Sequence, residues 1–126
     1  MWGSVVNDSR NLGTILSALT INQEEKELFR IGIAAFSLSM KEHLRGNKTS
    51  LQGVWQIPEH IKHQPLWIAG ELRVRVQKLM DDDKIDSQQW KQLNKHLDQL
   101  VDSLGACERI RNTPIPYSYS LFFKKF

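Results

Sequence analysis

The sequence is poor in the features that mark several common classes of protein. Its 126 residues include one cysteine, Cys107, so an internal disulfide is impossible and a reducing compartment is favoured. The longest apolar stretch, residues 31–40, is about half of the ~20 residues that a membrane-spanning helix needs. No signal peptide is visible, because the first residues lack a basic start followed by an apolar segment. The chain as it stands is therefore expected to be soluble or nearly so.

The sequence also lacks the motifs of nucleotide binding and of nucleophilic catalysis. It contains no phosphate-binding loop of the G-x-x-x-x-G-K-[ST] or G-x-G-x-x-G type and no G-x-S-x-G elbow. Cys107 falls on an apolar helix face, which suits a buried thiol better than a nucleophile. We therefore predict that the protein is not an enzyme and needs no cofactor.

Neither charge nor metal-ligand spacing points to a specific ligand. The 17 basic and 14 acidic residues are interspersed, giving a net charge of +3 and no reason to expect a nucleic-acid partner. Glu59, His60 and His63 could supply three metal ligands, but their spacing matches no usual zinc signature. The run 81–83 is acidic without the alternating positions of an EF-hand. The sequence predicts no metal site.

Apolar residues recur with helical spacing along most of the chain. They predict an all-α protein, a single domain over residues 1–126, built as an antiparallel bundle of about four main helices plus a short one at 58–63. The first helix is expected at 2–19, with Asp8 on its polar side. The other helices should start at the Asn22 cap, at Pro65 and at the Asp86 cap. The expected core is formed by Leu28, Phe29, Phe36, Leu72, Val76, Leu93, Leu97 and Leu100.

The last helix has the most regular pattern of the chain. An apolar seam recurs at spacings of 3, 4, 3, 4 and 3, through Trp90, Leu93, Leu97, Leu100, Leu104 and Cys107. Such a seam either fills the core of a single bundle or packs against another subunit or partner, and its spacing does not separate the two.

The end of the sequence differs in character from the helices before it. Pro114 and Pro116 should stop the last helix by about Asn112, since each disfavours helical backbone in the preceding residue. The aromatic-rich segment 117–126 is typical of a helix that enters a bilayer. We therefore expect the chain to be part of a longer one, with 117–126 the start of a truncated membrane helix.

The run around the two prolines carries a family resemblance. The sequence Gly-Ala-Cys-Glu-Arg-Ile-Arg-Asn-Thr-Pro-Ile-Pro-Tyr-Ser-Tyr, residues 105–119, resembles the signature of the prokaryotic bestrophin-like ion channels. Shorter matches at residues 2–3, 35–37 and 69–71 agree with it. The resemblance implies the cytoplasmic segment between the second and third membrane helices. It also implies a structural role for the motif residues Cys107, Glu108, Arg109, Pro114 and Pro116.

The function that this resemblance implies is ion conduction. In that family five subunits surround one pathway for inorganic ions through the cell membrane, with a second constriction in the cytoplasmic part. Counting back from the motif places the constriction at Gln88, with Ile85 the nearest apolar alternative. The calcium cluster of animal members falls beyond this chain. The competing hypothesis is a soluble adaptor domain that binds a partner helix through its apolar seam.

Overall fold

The structure, a computed structural model, describes residues 2–46 and 57–112. These residues form four α-helices, which confirms the all-α prediction: α1 (Trp2–Ala18), α2 (Gln23–Leu44), α3 (Gln64–Asp81) and α4 (Ser87–Asn112). Pro114, Pro116 and the segment 117–126 lie outside the described residues, so the predictions made for them remain predictions.

Side-chain caps fix the predicted starts of α2 and α4. The Asn22 side chain accepts a hydrogen bond from the Glu25 N–H at 2.7 Å. At α4, the Gln89 N–H donates to the Asp86 carboxylate at 2.8 Å, and the Asp86 N–H donates to Oε1 of Gln89 at 3.0 Å. These bonds satisfy amide groups that the first turn of a helix leaves without partners. At the other end of α2, Gly46 has φ = +80°, the left-handed conformation that favours glycine after a helix.

The segment before α3 departs from the prediction. Residues 58–63 form a turn, closed by the Ile61 N–H and the Pro58 carbonyl at 3.1 Å, instead of a short helix. The helix itself begins at Gln64, with Pro65 in its first turn. The His63 side chain caps it, because its Nδ1 atom accepts from the Leu66 N–H at 3.3 Å. Histidine is not among the preferred capping residues, and the sequence pattern alone did not indicate this role.

Contacts between the helices show that neighbours run antiparallel. Lys26, near the start of α2, donates to the Ser17 carbonyl near the end of α1 at 3.1 Å. Lys84, just after α3, pairs with Glu25 in the first turn of α2 at 2.5 Å. Helix α1 packs on α2 and α4, and α3 packs on the same two helices. The result is an up-down-up-down bundle in which α1 and α3 begin at the end where α2 and α4 finish.

This arrangement gives the bundle two chemically different ends. We call the end that holds the last turns of α2 and α4 the Glu108 end, and the opposite end, where α4 begins, the Gln88 end. The two residues are separated by about 30 Å along α4, at 1.5 Å per residue.

The core contains seven of the eight residues predicted for it. Phe29, Phe36, Leu72, Val76, Leu93, Leu97 and Leu100 are all buried. Leu28 was placed in the core wrongly: it is 37% exposed. Successive residues of a helix point about 100° apart, so the burial of Phe29 turns its neighbour Leu28 towards the surface.

The leucine seam of α4 packs inside this chain. Leu93, Leu97, Leu100 and Leu104 are at most 2% exposed, and α4 lies against both α1 and α3. The seam is therefore a core stripe, the first of the two alternatives that its spacing left open.

Asp8 is the second residue that the helical pattern placed wrongly. It was expected on the polar side of α1 but is 6% exposed, and its carboxylate lies 3.0 Å from Nδ1 of His96 in α4. A buried carboxylate is tolerated where a donor meets it. That donor comes from a residue 88 positions along the chain, which a local sequence pattern does not reveal.

The difference between Leu28 and Leu72 can be tested with one kind of substitution. Leu72→Ala should lower the free energy of unfolding by about 2–5 kcal/mol, because it opens a cavity in a fully buried position. Leu28→Ala should lower it by less than about 1 kcal/mol, as expected for a residue with much of its surface in water. Urea unfolding of both variants measures this, and equal losses would contradict the core described here.

Candidate functional site

Three side chains from different elements meet at the Glu108 end of the bundle. The Oε2 atom of Glu108, in the last turns of α4, lies 3.1 Å from Nε2 of His43 and 3.1 Å from Nε2 of His63. His43 is in the last turn of α2, and His63 is the residue before α3. We call this group the His-His-Glu cluster. The cluster links the ends of α2 and α4 to the start of α3.

The helix ends position these side chains. The antiparallel packing of α2 against α3 brings His43 beside His63, with ring centroids 4.2 Å apart and planes inclined by 32°. The hydrogen bond from the Leu66 N–H also determines which ring nitrogen of His63 carries the hydrogen. Its Nδ1 atom accepts, so in the neutral ring Nε2 carries the hydrogen and donates to Glu108.

The charge of Glu108 is stabilised by its neighbours. Partial burial raises the pKa of this carboxyl, but the hydrogen bonds from His43 and His63 outweigh it, so that the pKa of Glu108 lies below its ordinary value of 4.5. The carboxylate is therefore ionised at neutral pH and can act as an acceptor or as a ligand.

The donor atoms of the cluster are close enough to hold one metal ion. One donor atom from each of His43, His63 and Glu108 lies within 4.8 Å of the other two. Among the described residues, this is the group in which at least three His, Cys, Asp or Glu side chains bring donor atoms this close together. The three possible metal ligands considered from the sequence, Glu59, His60 and His63, do not come together. Only His63 belongs to the cluster, and Glu59 and His60 are exposed on the turn.

Sequence reasoning missed His43 because its partner lies 65 positions away. In the sequence, His43 was one of the basic residues that favour a helix C-terminus. One feature of the sequence could have indicated the cluster: His43, His63 and the motif residue Glu108 all lie at predicted helix ends. In an antiparallel bundle, the ends of α2 and α4 and the start of α3 lie at the same end of the bundle.

The other motif residues have different surroundings. Cys107 is half-buried and packs against the core, whereas Arg109 is exposed. Gln88, the predicted constriction residue, is exposed in the first turn of α4 at the opposite end of the bundle. The structure thus keeps Gln88 apart from the motif residues.

A second polar feature lies between α1 and α4, around the Asp8–His96 pair. A groove of about 460 Å³ runs beside it, lined by Ser4, Asn7, Asp8, Asn11, Gln99, Asp102 and Ser103. Side chains early in α1 and late in α4 line it together, as the antiparallel packing requires. Within residues 2–46 and 57–112, no helix combines the length and the apolar character needed to cross a membrane.

Comparison with known proteins identifies the family. The sequence model described as Bacterial/Fungal Bestrophin protein matches residues 1–126. The chain belongs to the bestrophin family. The resemblance carried by residues 105–119 is thereby confirmed.

Two curated bestrophin relatives are named as voltage-dependent anion channel-forming proteins. The one from Nostoc sp. is 29% identical, and the alignment covers 98% of this chain and 44% of the relative. The one from Synechocystis sp. is 28% identical with the same coverage. The chain thus spans less than half the length of these relatives, which are named as channels and not as enzymes.

Solved bestrophin structures share the fold. Two mutants of a bacterial bestrophin homolog from Klebsiella pneumoniae superpose with TM-scores of 0.82 and 0.78, at 25% and 26% identity. Both alignments cover 98% of this chain and 49% of the homolog. The chain therefore corresponds to about half of that homolog.

The contribution of the Glu108 charge to stability should depend on pH. A lowered pKa in the folded state means that this contribution is complete above the ordinary value of 4.5 and is lost as the pH falls through the lowered value. In Glu108→Gln the amide oxygen still accepts hydrogen bonds but carries no charge. We expect this variant to be about 1 kcal/mol less stable near neutral pH, a small value because the site is partly exposed.

Urea unfolding between about pH 6 and pH 3 tests this dependence. The difference in unfolding free energy between the wild type and Glu108→Gln should shrink as the pH falls below about 4.5, while Glu59→Gln, on the exposed turn, serves as the matched control. A difference that stays constant over the whole range would contradict the charge stabilisation described here.

Proposed function

We propose that this bundle is the cytoplasmic part of a pentameric bestrophin channel, forming an intracellular pathway for inorganic ions. The observation that carries the proposal is the family match over residues 1–126, together with relatives named as anion channel-forming proteins. The remaining half of such a relative would supply the membrane helices. The full protein would then be a multi-pass protein of the cell membrane, with this bundle on its cytoplasmic side.

The direction of the helices supports this placement. Helix α1 begins at the Glu108 end, and α4 reaches its motif residues at the same end. Membrane helices that precede α1 and follow α4 could therefore both lie on one side of the bundle. The Gln88 end would then face away from the bilayer, about 30 Å further along the pathway, by the rise of α4.

Gln88 is our proposed pore-lining residue at the cytoplasmic constriction. Its side chain is exposed, as a lining residue requires, whereas the apolar alternative Ile85 is 6% exposed and belongs to the core. Five glutamine amides around a pathway would hold water better than five apolar side chains, so this constriction would conduct without a strong dewetting barrier.

The adaptor hypothesis loses the surface on which it depended. It required the seam of α4 to be available to a partner helix, and Leu93, Leu97, Leu100 and Leu104 are already buried within the chain. Two further parts of the proposal, the absence of a nucleic-acid partner and of enzymatic activity, rest on the mixed surface charge and on the names of the relatives.

Ion flux through the full-length protein in liposomes tests the proposal. Gln88→Leu should reduce flux, because a ring of apolar side chains favours dewetting of the constriction. Gln23→Leu is the matched control, since Gln23 is also exposed at the Gln88 end but belongs to α2. Its flux should equal that of the wild type.

Two outcomes would count against different parts of the proposal. Flux that Gln88→Leu leaves unchanged would remove Gln88 as the constriction residue. The absence of flux for any common ion, from protein shown to be folded, would overturn the channel proposal itself.

A further inference from the structure

We propose that His43, His63 and Glu108 form a zinc-binding site that holds together the ends of α2, α3 and α4. The site needs neither the pore nor the membrane, so it does not depend on the proposed channel function.

The distances between the donor atoms suit a tetrahedral ion. Zinc binds imidazole nitrogen and carboxylate oxygen at about 2.0–2.2 Å, which places neighbouring ligand atoms of a tetrahedron about 3.3 Å apart. In the cluster, Oε2 of Glu108 lies 3.1 Å from each of the two Nε2 atoms. One donor atom from each of the three residues lies within 4.8 Å of the other two. An ion could therefore enter between them with small movements of the side chains.

The chemistry of the donors selects the class of metal. Two imidazoles and one carboxylate suit zinc and related first-row ions, whereas Mg²⁺ and Ca²⁺ prefer oxygen ligands alone. The ionised state of Glu108 supplies the negative ligand. The cluster is partly exposed, with 34% of the His63 side chain accessible, so water can occupy a fourth position.

Zinc binding would change one hydrogen bond that the structure defines. The ion takes the lone pair of Nε2, so the neutral ring of His63 must carry its hydrogen on Nδ1. The Nδ1 atom then no longer accepts from the Leu66 N–H, which now caps α3 at 3.3 Å. Zinc binding thus replaces the cap at the start of α3 with a bond to the metal. Loss of the hydrogen bond from the Leu66 N–H would therefore report that zinc occupies this site.

Calorimetric titration with Zn²⁺, followed by nuclear magnetic resonance of the same samples, tests the site. We expect one zinc per chain, an unfolding temperature that keeps rising with the concentration of free zinc, and shifts in the resonances of the His63 ring nitrogens and the Leu66 amide. His63→Ala should weaken binding by at least about 100-fold, since loss of an outer-shell partner alone costs up to that factor. Glu108→Gln, which keeps the shape of the side chain, should also weaken it strongly.

The exposed histidine of the preceding turn provides the matched control. His60→Ala removes an imidazole three residues from His63 and should bind zinc as the wild type does. Spectra of each variant without metal establish that it is folded. Wild-type affinity in folded His63→Ala or Glu108→Gln would overturn the proposal, as would binding that Ca²⁺ or Mg²⁺ displaces at equal concentration.

Discussion

Burial of the leucine stripe of α4 is the constraint on which the rest of the bundle depends. Leu93, Leu97, Leu100 and Leu104 fill the space between α1 and α3 and are almost wholly removed from water. Each fully buried leucine contributes about 1.5–3 kcal/mol relative to an exposed one. Because this stripe fixes the rotation of α4, it also determines which side chains of that helix face outwards and what each of its ends meets.

The fixed rotation between successive residues of a helix explains why the motif at the end of α4 has three environments. Cys107 continues the buried stripe, Glu108 turns towards α2 and α3, and Arg109 faces the surface. Residues in sequence are about 100° apart around a helix, so three neighbours need not share a role. Glu108 links the motif to α2 and α3, because one of its carboxylate oxygens meets His43 in the last turn of α2 and His63 just before α3.

The bundle separates its polar chemistry along its length. The His-His-Glu cluster lies at one end, the Asp8–His96 pair lies between α1 and α4, and Gln88 is exposed at the other end. Under the proposed function, this separation would place the cluster near the bilayer and the constriction far from it. A site that fastens helix ends on the membrane side would then stiffen the part of the bundle through which the membrane helices connect to the pathway.

The sequence by itself determined the helices, most of the core and the family. Apolar periodicity is local, and the Asn22 and Asp86 caps involve atoms three residues apart, so a linear pattern contains them. Only the tertiary structure decided that the α4 seam is internal, that Leu28 faces out, and that Asp8 is buried against His96. It alone joined His43, His63 and Glu108, because the distance between helix ends depends on how the helices pack, and their spacing in the chain does not encode it.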